Sequence, residues 1–320
     1  MAELKLLAKT KETLKGLGGG KKRTRKASEL IFYTCIVSLP FLQFLLFYLY
    51  VNFDTFVMSF QQYDYTSNKF YGFSLSNYKE VFTSVASESG VLRYALKNTL
   101  LIWSFQILVG FPISMFVSFY IYKKMPCSKV LINIMMIPSM LSSLVTALIF
   151  KYMADRLVPH IYSLFTGEKI IGLLANYDTV YWTLMIWTMW GSLTNYLLLA
   201  YGTMNGINES LVEATALDGA SYLKEFIHVT LPCIYPTIVV WLTESVAGFF
   251  TLQIGQFPLF GSSASSDLYT FGYYTYIKLL SRNYGDFAFL SAMGVLMTLI
   301  AMPITLLFKR ALEKYGPSAD

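Results

Sequence analysis

Six apolar runs, each near the length that a helix needs to cross a bilayer, constrain every other reading of this 320-residue sequence. A hydrocarbon core of ~30 Å takes about 20 residues at helical rise, and every backbone amide and carbonyl within it has to be satisfied inside the segment, which selects the helix. The runs lie at Leu30 to Phe53, Tyr94 to Tyr122, Val130 to Tyr152, Val180 to Met204, Ile234 to Ile254 and Phe287 to Phe308. The expected fold class is therefore all-α, a polytopic membrane protein with six transmembrane helices. A chain that is 55% hydrophobic and 14% charged fits no ordinary water-soluble domain.

Basic residues set the orientation. Lys21, Lys22, Arg23, Arg25 and Lys26 precede the first run, Lys123, Lys124 and Lys129 join the second to the third, and Lys309 and Arg310 follow the sixth. By the positive-inside rule these segments face the cytoplasm, so both termini are expected inside. The organisation read from the sequence is a basic cytoplasmic tail over 1–29, a six-helix unit over 30–310 and a cytoplasmic tail over 311–320. Within the first tail, Leu4, Leu6, Leu7, Leu14 and Leu17 alternate with Lys5, Lys9, Lys11 and Lys15, either as an amphipathic helix on the inner leaflet or as a disordered tail. Met1 to Lys26 holds no apolar core of a secretory signal, so the amino terminus is expected to be retained. The net charge of +6 does not argue for nucleic acid, because the bases sit beside apolar runs where they determine topology.

Several chemistries find no support. Cys35, Cys127 and Cys233 stand far apart without a metal-ligand spacing and read as small buried apolar residues, so no metal site is expected. Gly18, Gly19 and Gly20 before two lysines lack the phosphate-loop spacing, and the chain carries no ATPase of its own. A membrane enzyme would need a catalytic constellation, yet the two histidines, His160 and His228, fall on opposite predicted sides. An ion-coupled carrier would show charged relays and repeated halves, and Glu244 alone is well inside a run. Prolines at 40, 112, 138, 236 and 303 predict bent helices.

The segment 205–232, between the fourth and fifth runs, is too polar to span and too patterned to be slack. Ser210 and Glu213 read as a capping box that starts a short helix, and Gly219 can take the left-handed conformation that ends it. A second short helix follows, with Leu223, Phe226, Ile227 and Leu231 on one face and Pro232 opening the fifth span. Asp218 either takes part in docking or caps local amides. The bland reading of the whole segment is a solvated amphipathic connector.

This segment resembles the EAA loop of bacterial ABC importer permeases at Glu213, Ala214, Asp218, Gly219, Ala220, Phe226, Leu231 and Pro232, with Thr215 in place of the second alanine. The resemblance extends to carbohydrate permeases of the maltose-permease-like superfamily: Met58-Ser59-Phe60 to Tyr63-Asp64, Phe73 to Asn77-Tyr78 and Asn98-Thr99-Leu100 look like signals of that family, and Phe111-Pro112 and Ile137-Pro138-Ser139 resemble its oligosaccharide and polysaccharide branch. Phe257 to Tyr276 departs from it by lacking a glycine-glycine-proline signal. The resemblance implies a type I ABC importer permease fold in the bacterial plasma membrane and the import of an oligosaccharide by alternating access. It implies as partners a second homologous permease, two cytoplasmic ATPases that hold ATP and Mg, and an extracellular sugar-binding lipoprotein. Its alternative is a permease of the same kind for a non-sugar solute.

Positions that line the site in maltose-type permeases fall here on Thr188, Gly191, Ser192, Asn195, Ser245, Gly248, Phe249 and Leu252, with Trp187, Trp190, Tyr196, Glu244 and Gln253 as neighbours. Glu244 faces the cavity or a partner in the sharp reading, and is bonded within the bundle or protonated in the bland one. The aromatic residues serve as sugar platforms or as packing.

Overall fold

The computed structural model describes residues 29–67, 69–88 and 90–317, so the predicted amphipathic pattern and basic cluster of the first 28 residues lie outside it. The chain divides into a unit that ends at Met58 and a second from Ser59 onward. The described residues of the first belong to a helix, α1 (Glu29–Ser59), which ends one residue past that boundary and contains a π-helical stretch at Phe44–Tyr50.

The second unit opens with a hairpin of β1 (Gln62–Asp64) and β2 (Lys69–Tyr71), in which Tyr63 faces Phe70 across the antiparallel pair. Hydrogen bonds from the Ser67 side chain and the Thr66 amide hold the Asp64 carboxyl below the usual range at this turn. Helix α2 (Ser76–Ala86) follows, and the two short signals on either side of the hairpin meet. Asn77 donates to the carbonyls of Ser59 at 3.0 Å and Gln61 at 2.8 Å, and the rings of Phe60 and Phe73 stack at 4.9 Å.

Four helices among the described residues are long and apolar enough to cross a membrane: α1, α3 (Val91–Tyr122), α8 (Tyr222–Ala247) and α11 (Tyr284–Tyr315). The third run departs from its expected single span. It breaks into α4 (Ser128–Met140) and α5 (Ser143–Thr166), bent by 113°. The reason is local: Pro138 weakens the end of α4, Leu141 turns extended, and the Ser142 side chain accepts from the Val145 amide to cap a new helix. Helix α6 (Tyr177–Met204) has 28 residues, enough to span, but is not among the four because its sequence is more polar. The sixth run continues as helix to Tyr315, beyond the boundary expected at 310.

Three prolines within helices are accommodated in the same way. π-Helical turns at Gln106–Gly110, Met153–Leu157 and Phe226–Thr230 end two residues before Pro112, Pro159 and Pro232. In each, the amide after the turn bonds five residues back, from Phe111 to Gln106, Val158 to Met153 and Leu231 to Phe226. Proline offers no amide and crowds the carbonyl four residues earlier, and the widened turn makes room while keeping the backbone bonded.

The loop 205–232 also differs from its expected form. Helix α7 (Glu209–Leu217) is capped by Asn208, whose side chain accepts from the Ser210 amide, rather than by Ser210. Both residue types cap well, and the one nearer the chain reversal wins. The expected second helix fuses with the fifth span through the π-turn, so Pro232 lies inside α8 instead of starting it. The three cysteines expected to be buried are each exposed. Cys127 holds a left-handed backbone at the start of α4, and Cys35 and Cys233 lie on outward helix faces.

Helix α8 stops at Ala247, short of the expected Ile254. Beyond it come a single 3-10 turn at Phe249–Thr251, α9 (Gln256–Phe260), a second turn at Ser266–Leu268 and α10 (Phe271–Leu280). A buried polar network ties this outer segment to α3. Gln256 donates to the Leu268 carbonyl and accepts from the Thr270 hydroxyl at 2.6 Å. Thr99 accepts from the Phe271 amide at 2.8 Å, and Asn98 donates to the Tyr269 carbonyl at 3.1 Å. Replacing Thr270 by Val strands the buried Gln256 carbonyl oxygen and removes the cap of α10, and is expected to cost about 1–3 kcal/mol. Thermal unfolding of the purified protein in detergent should show this loss, whereas Ser263→Ala, outside the network, should leave the transition in place.

Candidate functional site

Polar residues spaced by three and four along an apolar helix share a face. On α6 that face carries Thr188, Gly191, Ser192 and Asn195, and on α8 it carries Trp241, Glu244 and Ser245, with Gly248 just past its end; together they line a cleft of about 860 Å³. Leu252 and Gln253 close it from the unwound segment after α8. Trp190 and Phe249 do not line the cleft. Trp190 packs on Phe150 and Trp187, with ring centroids at 6.1 and 5.8 Å, and Phe249 meets the edge of Trp103 at 5.7 Å.

Sequence reasoning left out Trp103 and Gln106 of α3, Ser143 of α5, and Gly255 and Pro258 beyond α8, all of which line the same cleft. Trp103 and Gln106 are three apart in an apolar run and were readable as a shared face. Ser143 enters only because the third run breaks at its cap.

Indole groups hold the cleft walls. The Trp103 Nε1–H donates to the Ser245 carbonyl and lies 3.0 Å from its hydroxyl as well. The Trp187 Nε1–H donates to the Ile254 carbonyl at 2.5 Å. Gly255, at φ +71°, passes so close that an added Cβ would stand 3.0 Å from that indole nitrogen. The hydroxyls of Thr188 and Ser192 donate to helix carbonyls at 2.8 Å, leaving their lone pairs for a ligand. Gln106, Asn195 and Glu244 make no side-chain hydrogen bond among the described residues, and Glu244 is exposed to the cleft. Fixed aromatic faces beside free amide and carboxylate groups suit an uncharged polyhydroxylated ligand.

At the other end of α6 and α8 stands the loop. No residue of α7 is buried, and Leu217 is 88% exposed. Glu213, Ala214, Asp218 and Gly219 are exposed, and Ala220 is half-buried. Gly219, at φ +67°, forms a Schellman ending: its amide bonds to Ala216, and that of Ala220 to Thr215. The space where its Cβ would stand is open. Thr215 returns its hydroxyl to the Leu211 carbonyl at 2.7 Å, so it adds no outward polar group.

Phe226 differs from its neighbours in being 3% exposed, packed between the rings of Phe116 and Phe119 of α3 at 4.8 and 4.9 Å. Of the expected apolar face, Phe226 and Leu231 pack inward, whereas Leu223 and Ile227 remain exposed. Beside Phe226, Glu225 pairs with Lys123 at the end of α3, N to O 2.6 Å, both side chains largely buried. Among the described residues no three His, Cys, Asp or Glu side chains gather as a metal site would require.

Comparison with known proteins places this architecture among transport systems. The profile of the family described as "Binding-protein-dependent transport system inner membrane component" matches residues 110–315, well over half of the chain. The arabinooligosaccharides transport system permease protein AraP of Bacillus subtilis is 24% identical over 289 residues, covering 89% of this chain and 88% of that protein. The polygalacturonan/rhamnogalacturonan transport system permease protein YteP of the same organism is 25% identical, covering 69% and 70%. A chain in the crystal structure of a bacterial ABC transporter involved in the import of the acidic polysaccharide alginate shares the fold, with a TM-score of 0.74, 19% identity, and coverage of 92% of this chain and 99% of that one. A chain of the bacterial alginate ABC transporter in complex with an alginate pentasaccharide-bound periplasmic protein gives 0.71 at 21% identity, covering 91% and 97%.

The Lys123–Glu225 pair makes a prediction. Lys123→Met leaves a buried carboxylate without its partner and is expected to destabilise the protein by about 3–5 kcal/mol. The double variant Lys123→Met with Glu225→Leu should recover much of that loss, as measured by thermal unfolding of the two purified variants.

Proposed function

We propose, from the premise that the chain belongs to the family of binding-protein-dependent transport system inner membrane components, that it is the permease subunit of an ATP-driven oligosaccharide importer. The observation that carries the proposal is that the two helices bordering the polar cleft, α6 and α8, are the two that the exposed α7 loop joins. A force applied at the loop reaches the cleft through two rigid helices. The saccharide class is supported by the relatives' own described cargoes, arabinooligosaccharides and polygalacturonan among them, and by the aromatic and amide lining of the cleft.

In this reading the chain lies in the bacterial plasma membrane with both termini in the cytoplasm, as the basic segments require. It pairs with a second, homologous permease, and an extracellular sugar-binding lipoprotein delivers the cargo. Two cytoplasmic ATPases hold ATP and Mg, and this chain holds no cofactor and catalyses no covalent step. The six-helix unit over 30–310 carries the cargo path, with the tails over 1–29 and 311–320 on the cytoplasmic side. ATP-driven closure of the ATPases presses on Glu213, Ala214, Asp218, Gly219 and Ala220 and opens the cleft outward; hydrolysis restores the inward state. Phe226, being buried, conveys the movement to α3 and does not touch the ATPase. Thr188, Gly191, Ser192, Asn195, Glu244, Ser245, Gly248, Leu252 and Gln253 face the cargo, and Trp190 and Phe249 support the walls from behind. The cargo shifts the equilibrium only through its different affinity for the two states.

Gly219→Trp tests the docking part. The position is exposed and its surroundings are open, so insertion in the membrane is expected to persist; the left-handed backbone and the added bulk should deny the ATPase its seat. Saccharide uptake by proteoliposomes holding the complete transporter should fall at least tenfold, with saccharide-stimulated ATP hydrolysis lost. Normal uptake by this variant would refute the docking role.

A further inference from the structure

We propose that Glu244 makes the cleft a charge filter, so that the cargo is an uncharged or cationic saccharide and uronate-bearing glycans are disfavoured; this rests on the oligosaccharide reading above. Glu244 is the one carboxylate among the groups lining the cleft, beside the phenol of Tyr196, and the lining includes no Lys, Arg or His. Its side chain is exposed to the cleft and forms neither a hydrogen bond nor an ion pair among the described residues. Two lysines on the helices that line the cleft are engaged elsewhere: Lys151 of α5 donates to the Leu259 carbonyl at 2.9 Å, and Lys123, at the loop end of α3, is paired with Glu225. A second carboxylate entering this space would meet a like charge in surroundings that screen poorly, with no guanidinium or ammonium to receive it.

Neutral saccharides meet the opposite situation. Glu244 accepts hydrogen bonds only, so it suits hydroxyl donors, and the bond is strengthened by its charge. It shares the cleft with the half-buried indoles of Trp103 and Trp187, so a hydrogen-bond acceptor and aromatic rings line one space, the pairing that suits the polar rim and the apolar face of a sugar ring. A cationic amino sugar would gain from both the carboxylate and the ring faces.

The test uses the complete purified transporter without its binding protein, so that selection by this cleft alone is read. Binding is followed by quenching of intrinsic tryptophan fluorescence, with trisaccharides of galacturonate, glucuronate and mannuronate each compared with its fully methyl-esterified form. The two members of each pair share ring, linkage and length and differ in charge. Wild type is expected to bind the ester at least tenfold more tightly than the acid. Glu244→Gln, isosteric and uncharged, should bring the two within about twofold by strengthening the acid, and Glu244→Asp, which keeps the charge, should retain the preference. Equal binding of ester and acid by wild type, or a preference unchanged in Glu244→Gln, overturns the filter and leaves the importer reading standing. Failure of every pair to bind overturns the saccharide reading and the filter with it.

Discussion

Two backbone carbonyls hold the site together. Where α8 ends at Ala247, inside a run long enough to have continued, the carbonyls of Ser245 and Ile254 lie where water is scarce and need donors. The indoles of Trp103 and Trp187 supply them. Each tryptophan thereby fixes an unwound backbone and, in the same conformation, presents its ring to the cleft. The walls, the Gly255 turn and the docking of α9 follow from these two bonds.

The same economy of backbone bonding explains the bends. Pro112, Pro159 and Pro232 each follow a turn widened to five-residue bonds, which lets a helix change direction with its carbonyls still satisfied. The break between α4 and α5 is the other solution. There the ladder is given up, and Ser142 caps the restart. Bending keeps a span intact for carrying motion, whereas breaking brings a new helix start, with Ser143, to the cleft wall.

Much of this was legible in the sequence, and the limits are physical. The apolar runs revealed the helices because bilayer thickness fixes their length. The α6 positions Thr188, Gly191, Ser192 and Asn195 were reached through the resemblance to maltose-type permeases, and the left-handed Gly219 was legible from its place after a short helix. What periodicity could not give was any contact between helices. Trp103 and Gln106 belong to the cleft because α3 packs there, and Asn98 and Thr99 matter because a segment about 170 residues away folds back onto them. The end of α8 at Ala247 was missed because its sequence remains largely apolar through Ile254, although Gly248 stands at the C-cap and distant indoles bond the carbonyls around the break. The cap was read two residues late, at Ser210, whereas Asn208 holds it by accepting from the Ser210 amide.

Helix α3 joins the two halves of the proposed mechanism. Its inner end holds the root of the loop, through Phe116 and Phe119 around Phe226 and through Lys123 on Glu225. Its outer half carries Gln106 and Trp103, roughly 25 Å of helix away. A displacement of the loop is therefore felt at the cleft along three helices: α6 and α8 by covalent continuity, and α3 by packing. Two of these routes pass a π-turn between the loop and the cleft, at Gln106–Gly110 in α3 and at Phe226–Thr230 in α8. Rotation of the loop-side half of α3 that carries through its turn would change the angle at which Trp103 meets the Ser245 carbonyl. The bond that holds the unwound end of α8 is thus also the point at which the loop's movement would reach the cargo.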